Sequence, residues 1–297
     1  MSDGRGRPPR RVYALLAVMV LVWSVNFVVA KVTLREFPPL LLGALRFTVA
    51  GLVIAPVYVW RTMTEAHQAV ERGAAARLLG IGLIGVGLNQ LMFLLGLVRT
   101  SVAHASILIC ITPVFVLLLS AAAQHERITG KKLAALALAV SGILVLQGRS
   151  LFGSPGSVLG DLFVVLAALT FAFFTVAGKS VRSEFDSLTI ITFAYTGSAV
   201  LLSPVTVWLS MEFDYSRVSV WGWVAVLYMA IFPSLVAYMI YYHALRYLAA
   251  SRIAMLGYLQ PLLATSLAVA FIGERVTPSL VVGGLLVVAG VVWAERS

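Results

Sequence analysis

Side chains able to do chemistry are sparse in this chain and gather at a few places. In one apolar stretch Trp23, Asn26 and Phe27 stand at i, i+3 and i+4, so a helix would put an amide between two rings on one face. In another, Asn89 and Gln90 precede Phe93; in a later one Tyr238 is followed by Tyr241 and Tyr242. Tyr258 and Gln260 form a further group beside Pro261. Amides, phenols and flat rings bind by hydrogen bonding and stacking, and the chemistry they suit is recognition of a small, partly apolar molecule. Plainer readings stand beside this one. Asn26 can serve an interhelical hydrogen bond, and the tyrosines can form an interfacial belt. Tyr238 lies deep enough in its stretch to favour a cavity, whereas Tyr242, nearer the end, fits either role.

No bond-making constellation accompanies them. The chain has neither a His-Glu-x-x-His helix nor the lysine of a phosphate-binding loop near Gly80, Gly82, Gly85 and Gly87. Those glycines, with Gly283 and Gly284, suit close helix contact. The single Cys110 excludes an internal disulfide and a cysteine metal cluster, and reads as a packed thiol. No enzyme activity, metal or cofactor is expected. Glu126-Arg127 and Glu274-Arg275 read as helix caps or gates, and His104 and His243 as structural. No carboxylate lies near the middle of an apolar stretch, since Asp161 begins its own; this argues against a proton relay and for export down a gradient. Arg46, eight residues into the second stretch, snorkels or pairs within the bundle.

These groups must be held by membrane helices. Of 297 residues, 61% are apolar and 11% charged, too few charges to cover a water-soluble fold of this length. Spans of roughly 20 apolar residues are expected near 12–30, 39–60, 76–97, 101–123, 132–147, 157–178, 188–210, 219–244, 250–272 and 279–294. The net charge of +10 sits in short connections, where it orients spans rather than binding nucleic acid. Arg5, Arg7, Arg10 and Arg11 before the first span resemble a signal peptide, but its cleavage would destroy the repeat that follows. Pro113 and Pro261 fall mid-span, where each removes an amide donor, frees a carbonyl one turn back and kinks its helix. Such kinks shape or gate transporter sites. Thr112 and Gln260 are placed to satisfy the freed groups, and Gly257 lies at the freed turn of the later span.

An offset of 148 residues, without a gap, lays one half on the other. Pro56-Val57-Tyr58-Val59-Trp60 meets Pro204-Val205-Thr206-Val207-Trp208, and Glu126-Arg127-Ile128-Thr129 meets Glu274-Arg275-Val276-Thr277. Pro113 meets Pro261, and Gly142 meets Gly290. Each half, 1–148 and 149–297, holds five spans. An odd number sends the second half into the membrane from the opposite side, the inverted repeat of many transporters. Charge agrees: with the N-terminus inside, the inner segments carry fifteen Lys and Arg, the outer loops six. Both chain ends are then cytoplasmic.

Two motifs carry a resemblance to a known family. Trp-x-x-Asn-Phe-x-x-x-Lys at Trp23, Asn26, Phe27 and Lys31 is one; Pro followed thirteen residues later by Glu-Arg-hydrophobic-Thr, present in both halves, is the other. The chain resembles EamA domains of the drug/metabolite transporter superfamily over nearly its whole length, and most of all the YddG-type aromatic amino-acid exporters. The resemblance implies an all-α fold of ten transmembrane helices, two inverted five-helix repeats around a central cavity. It implies lining chiefly by spans 1, 3, 4, 6, 8 and 9, with 2 and 7. Phe171 and Phe174 replace Trp23 and Asn26 in the second copy, so the two half-sites differ chemically.

The expectation is a multi-pass inner or plasma membrane exporter of amino acids or similar metabolites, working by alternating access. Its partners are the lipid bilayer and a small-molecule substrate, and a monomer is compatible with the sequence. A carrier of drugs, nucleosides or sugar phosphates is the alternative, though sugar phosphates call for paired cations and Arg46 stands alone. An intramembrane enzyme and a receptor or assembly subunit are more distant readings.

Overall fold

A computed structural model describes residues 9–64, 70–99, 105, 108–147, 158–260, 262–263 and 278–295. These residues form ten helical segments and no strand: α1 (Arg10–Thr33), α2 (Pro39–Thr64), α3 (Arg72–Arg99), α4 (Thr112–Ala122), α5 (Gly130–Gln147), α6 (Val158–Val181), α7 (Ser187–Glu212), α8 (Val220–Ala244), α9 (Ala250–Met255) and α10 (Pro278–Glu295). A 3-10 turn, Leu256–Tyr258, continues α9. Lipid offers no hydrogen bonds, so a chain this apolar must satisfy its backbone within helices. Side-chain caps appear where helices start in water. Asp186 accepts from Thr189 N at 2.8 Å to begin α7, and Ser219 Oγ accepts from Gly222 N at 3.0 Å to begin α8.

Helices α1, α2, α3, α6, α7 and α8 are long and apolar enough to cross a membrane. Their outward faces stay apolar: Leu52 is 70% exposed and Val200 72%, Trp60 67% and Trp208 60%. In water such a surface would aggregate, whereas in lipid it is the solvated face. The protein is a multi-pass membrane protein.

Packing pairs α2 with α7, α5 with α10 and α4 with α9, while α1 meets α8 and α3 meets α6. Exchanging each helix for the one five places later maps this set onto itself. Small residues let the α5 and α10 backbones touch. A Cβ added at Gly142 would lie 2.6 Å from the Val287 amide nitrogen, and one at Gly290 would lie 2.6 Å from that of Ala139.

Two long helices are not α-helical throughout. Leu83–Leu88 in α3 and Phe232–Val236 in α8 are π turns, at equivalent places in the two halves. In α8 the cause is Pro233. It has no N–H for the Met229 carbonyl, which instead accepts from Ser234 Oγ at 2.7 Å. A similar device precedes Pro113. The helical run turns at Cys110 and Ile111, and Thr112 Oγ1 donates at 2.6 Å to the Ile109 carbonyl that the proline cannot reach.

Candidate functional site

Residues that follow the π turns of α3 and α8, with those at the turn before α4, line a central cavity of about 110 Å³. One water needs about 10–15 Å³ on this measure, so the space holds several waters or a small solute. From α1 its wall takes Trp23, Asn26 and Phe27, from α2 Arg46, and from α3 Asn89, Gln90 and Phe93. Ile109, Cys110, Thr112 and Pro113 contribute around the start of α4. Phe171 of α6, Tyr238 and Tyr241 of α8, and Ile253, Ala254, Gly257 and Gln260 in and beyond α9 complete it. Residues of both halves thus face one space.

Aromatic rings form its apolar part. The Trp23 ring stands edge-on to Phe171 (5.7 Å between centroids) and Tyr238 (5.6 Å), and tilted to Tyr241 (5.7 Å). Phe27 meets Phe93 edge-on at 5.5 Å. Such pairs add about 0.5–1.5 kcal/mol each beyond the area they bury. Their hydrogen-bonding ends are mostly occupied by protein: Trp23 Nε1 donates to the Pro233 carbonyl at 3.1 Å, and Tyr241 OH pairs with Thr175 Oγ1 at 2.9 Å. The rings are thereby fixed in orientation.

The polar part is held less completely. Asn89 Nδ2 donates to the Ala167 carbonyl on α6 at 2.6 Å, and Gln90 Nε2 donates to Asn89 Oδ1 at 3.2 Å. Arg46 Nε donates to Ser234 Oγ at 2.6 Å, so the π turn of α8 also seats the guanidinium. Among the described residues, Asn26 Oδ1, Gln90 Oε1 and Arg46 Nη1 are buried without a hydrogen-bond partner. No metal-binding group of His, Cys, Asp and Glu occurs among the described residues.

Trp23, Asn26, Phe27, Asn89, Gln90, Phe93, Phe171, Tyr238, Tyr241 and Gln260 stand on the wall together with Pro113. Three others stand behind it. Tyr242 is turned against α6, where its OH donates to the Phe174 carbonyl at 2.7 Å; a Cβ at Gly178 would lie 2.0 Å from that hydroxyl, so only glycine admits the ring. Phe174 is buried against Gly85, with its ring tilted to Tyr238 and edge-on to Tyr242. Tyr258 packs with Cys110, Met255 and Val287. Pro261, His104, Glu274 and Arg275 lie outside the described residues. Arg46, Ile109, Cys110, Ile253 and Ala254 line the cavity without having been assigned to it from the sequence, although for Arg46 a cation deep in an apolar stretch is itself the signal of a functional position.

Away from the cavity, polar contacts join the two halves near the helix ends. Arg61 pairs with Asp186 and Arg77 with Glu184. Glu126, whose side chain is 5% exposed, binds Lys132 Nζ at 2.7 Å and both the amide (3.2 Å) and the hydroxyl of Ser251. Glu36 accepts from the Ser219 amide at 2.8 Å and from its hydroxyl at 2.9 Å.

Known proteins resemble the chain along its length. A transporter of unassigned substrate from Archaeoglobus fulgidus is 26% identical over 287 residues, covering 95% of this chain and 96% of that one. A probable amino-acid metabolite efflux pump of Escherichia coli (strain K12) is 28% identical, covering 93% and 92%. A probable terminal-alkyne amino-acid exporter of Streptantibioticus cattleyicolor is also 28% identical, covering 95% and 92%. A crystal structure of a protein 21% identical in sequence shares the fold with a TM-score of 0.77 over 98% of both chains. The profile of the EamA-like transporter family matches residues 10–147 and again residues 158–295. The chain is therefore a membrane transporter belonging to the EamA-like transporter family.

Proposed function

We propose that this transporter exports small metabolites, amino acids with aromatic or other apolar side chains foremost, by alternating access between two inverted five-helix halves, 1–148 and 149–297. The observation that carries the reading is the shared cavity, in which a fixed aromatic surface adjoins partly unsatisfied amides and a guanidinium. Such a wall fits a solute with an apolar body and a polar head. The names borne by the relatives from Escherichia coli and Streptantibioticus cattleyicolor point to the same substrate class.

Duplication is supported by the matching helix contacts of the two halves, and inversion by the excess of Lys and Arg on segments assigned to one side. That bias favours both termini in the cytoplasm of a cell whose inner or plasma membrane holds the protein. Rocking of one half against the other would break the contacts of Glu126 or of Glu36 in turn.

Purified protein in proteoliposomes tests the proposal with labelled L-phenylalanine, L-leucine and L-threonine. Saturable flux, faster for the two apolar substrates, is expected. Flux no faster than in empty liposomes for all three overturns it.

A further inference from the structure

Arg46 is 1% exposed, yet none of the ion pairs among the described residues includes it. The titratable groups that act on its charge are the phenols of Tyr195, Tyr238 and Tyr228, none of them an anion at neutral pH. Among the described residues one hydrogen bond holds the guanidinium, from Nε to Ser234 Oγ, and that hydroxyl is locked in turn by the Met229 carbonyl. Arg46 lines the cavity, and its Nη1 is buried without a hydrogen-bond partner. A buried cation without a counterion is costly and persists where a ligand supplies the missing charge.

The two orphaned acceptors complete the pattern. Asn26 Oδ1 and Gln90 Oε1 are amide oxygens, which suit an ammonium group. Depth brings all three together. Asn26 lies seven residues before the end of α1, Arg46 seven after the start of α2 and Gln90 nine before the end of α3, on the side of the bundle where those helix ends meet. At 1.5 Å per residue they share a level about 10–14 Å below those ends. Trp23, one turn further from that side on α1, leads from this level to the aromatic wall.

We infer that Arg46 anchors the carboxylate of the transported molecule through its Nη groups, while Asn26 and Gln90 accept from its ammonium, so that the cavity selects free α-amino acids with both charges present. This rests on the amino-acid reading above and specifies how that substrate is read. The side chain then lies on the rings of Trp23, Phe171 and Tyr238, while the head group supplies the counter-charge that Arg46 lacks.

Two readouts separate this inference from the proposed function. The first is thermal stabilisation of the detergent-solubilised full chain by L-phenylalanine, L-phenylalaninamide and 3-phenylpropionate; the second is flux of labelled L-phenylalanine in proteoliposomes. For the wild type, L-phenylalanine is expected to bind about 10–100-fold more tightly than either analogue, the range for losing one hydrogen-bonded charge. Arg46→Gln is expected to erase the preference for L-phenylalanine over its amide, and Arg46→Lys to retain part of it. The wild-type comparison decides even if Arg46→Gln fails to fold. Flux with equal binding of acid and amide overturns the role of Arg46 and leaves amino-acid export standing. Binding of 3-phenylpropionate as tight as that of L-phenylalanine overturns the ammonium site. Carboxylate-dependent binding without flux upholds the anchor and overturns export. Neither binding nor flux overturns both.

Discussion

Trp23 of α1 donates its indole N–H to the carbonyl of Pro233, 210 residues away in the π turn of α8. The indole covers that carbonyl while presenting its ring to Phe171, Tyr238 and Tyr241. One side chain thus bonds to a backbone irregularity and builds the cavity wall.

Trp23→Phe keeps an aromatic ring but leaves the Pro233 carbonyl without its donor. A loss of about 0.5–1.5 kcal/mol is expected for the missing hydrogen bond, together with slower flux. Thermal unfolding in detergent and proteoliposome flux check both. Unchanged stability would mean that the bond contributes nothing.

Gly142 and Gly290 set the contact between α5 and α10. A methyl at either position meets backbone of the facing helix, which cannot swing aside as a side-chain tip would. Gly142→Ala and Gly290→Ala are each expected to destabilise by about 1–3 kcal/mol through overpacking. Gly130→Ala is the control, since nothing lies within 4 Å of its added Cβ. Thermal midpoints lowered for the first two and held for the third are the expected result.

Much of this arrangement was legible in the sequence because the signals are local. Trp23, Asn26 and Phe27 share a face by spacing alone, and composition requires helices. What was not legible depends on contacts far apart in the chain. Arg46 is seated by Ser234, whose hydroxyl is oriented by Pro233 and the π turn. A π turn also shifts the following residues by one position, about 100° around the axis. Tyr242 shows a second limit: its ring turns behind the wall because Gly178, on another helix, has no Cβ to prevent it. No period in the neighbourhood of Tyr242 encodes that vacancy.

Glu126 gives a pH-dependent prediction. Burial pushes its carboxyl up, but the hydrogen bonds from Lys132 and Ser251 outweigh burial and hold it below the ordinary glutamate value. A depressed folded value means that the stabilisation is complete above the unfolded value, about 4.3, and is lost as pH falls through the lower folded value. Glu126→Gln is therefore expected to be less stable than wild type near neutral pH, with the gap closing in acid. Thermal midpoints of both proteins, followed from about pH 7 to about pH 3, read this directly. A gap that stays constant on acidification would show that the carboxylate charge is not what joins Ser251 to the α4–α5 turn.

Cys110 offers a probe of the cavity from within, because it is the sole cysteine of the chain and lies on the wall beside Ile109 and Thr112. At 7% exposure it is shielded from bulk solvent and lipid, so a small methanethiosulfonate reagent must enter the cavity to reach it. Labelling is expected to be slow and to slow further with a transported amino acid present, because reagent and substrate compete for one space. In oriented proteoliposomes, a membrane-impermeant reagent added to either side is expected to react if both mouths open in turn. Mass spectrometry of the intact protein counts the adduct. Reaction from one side only, unaltered by substrate, would contradict alternating access through this cavity, whereas protection by L-phenylalanine would tie substrate occupancy to the wall that Cys110 shares with Arg46 and Trp23.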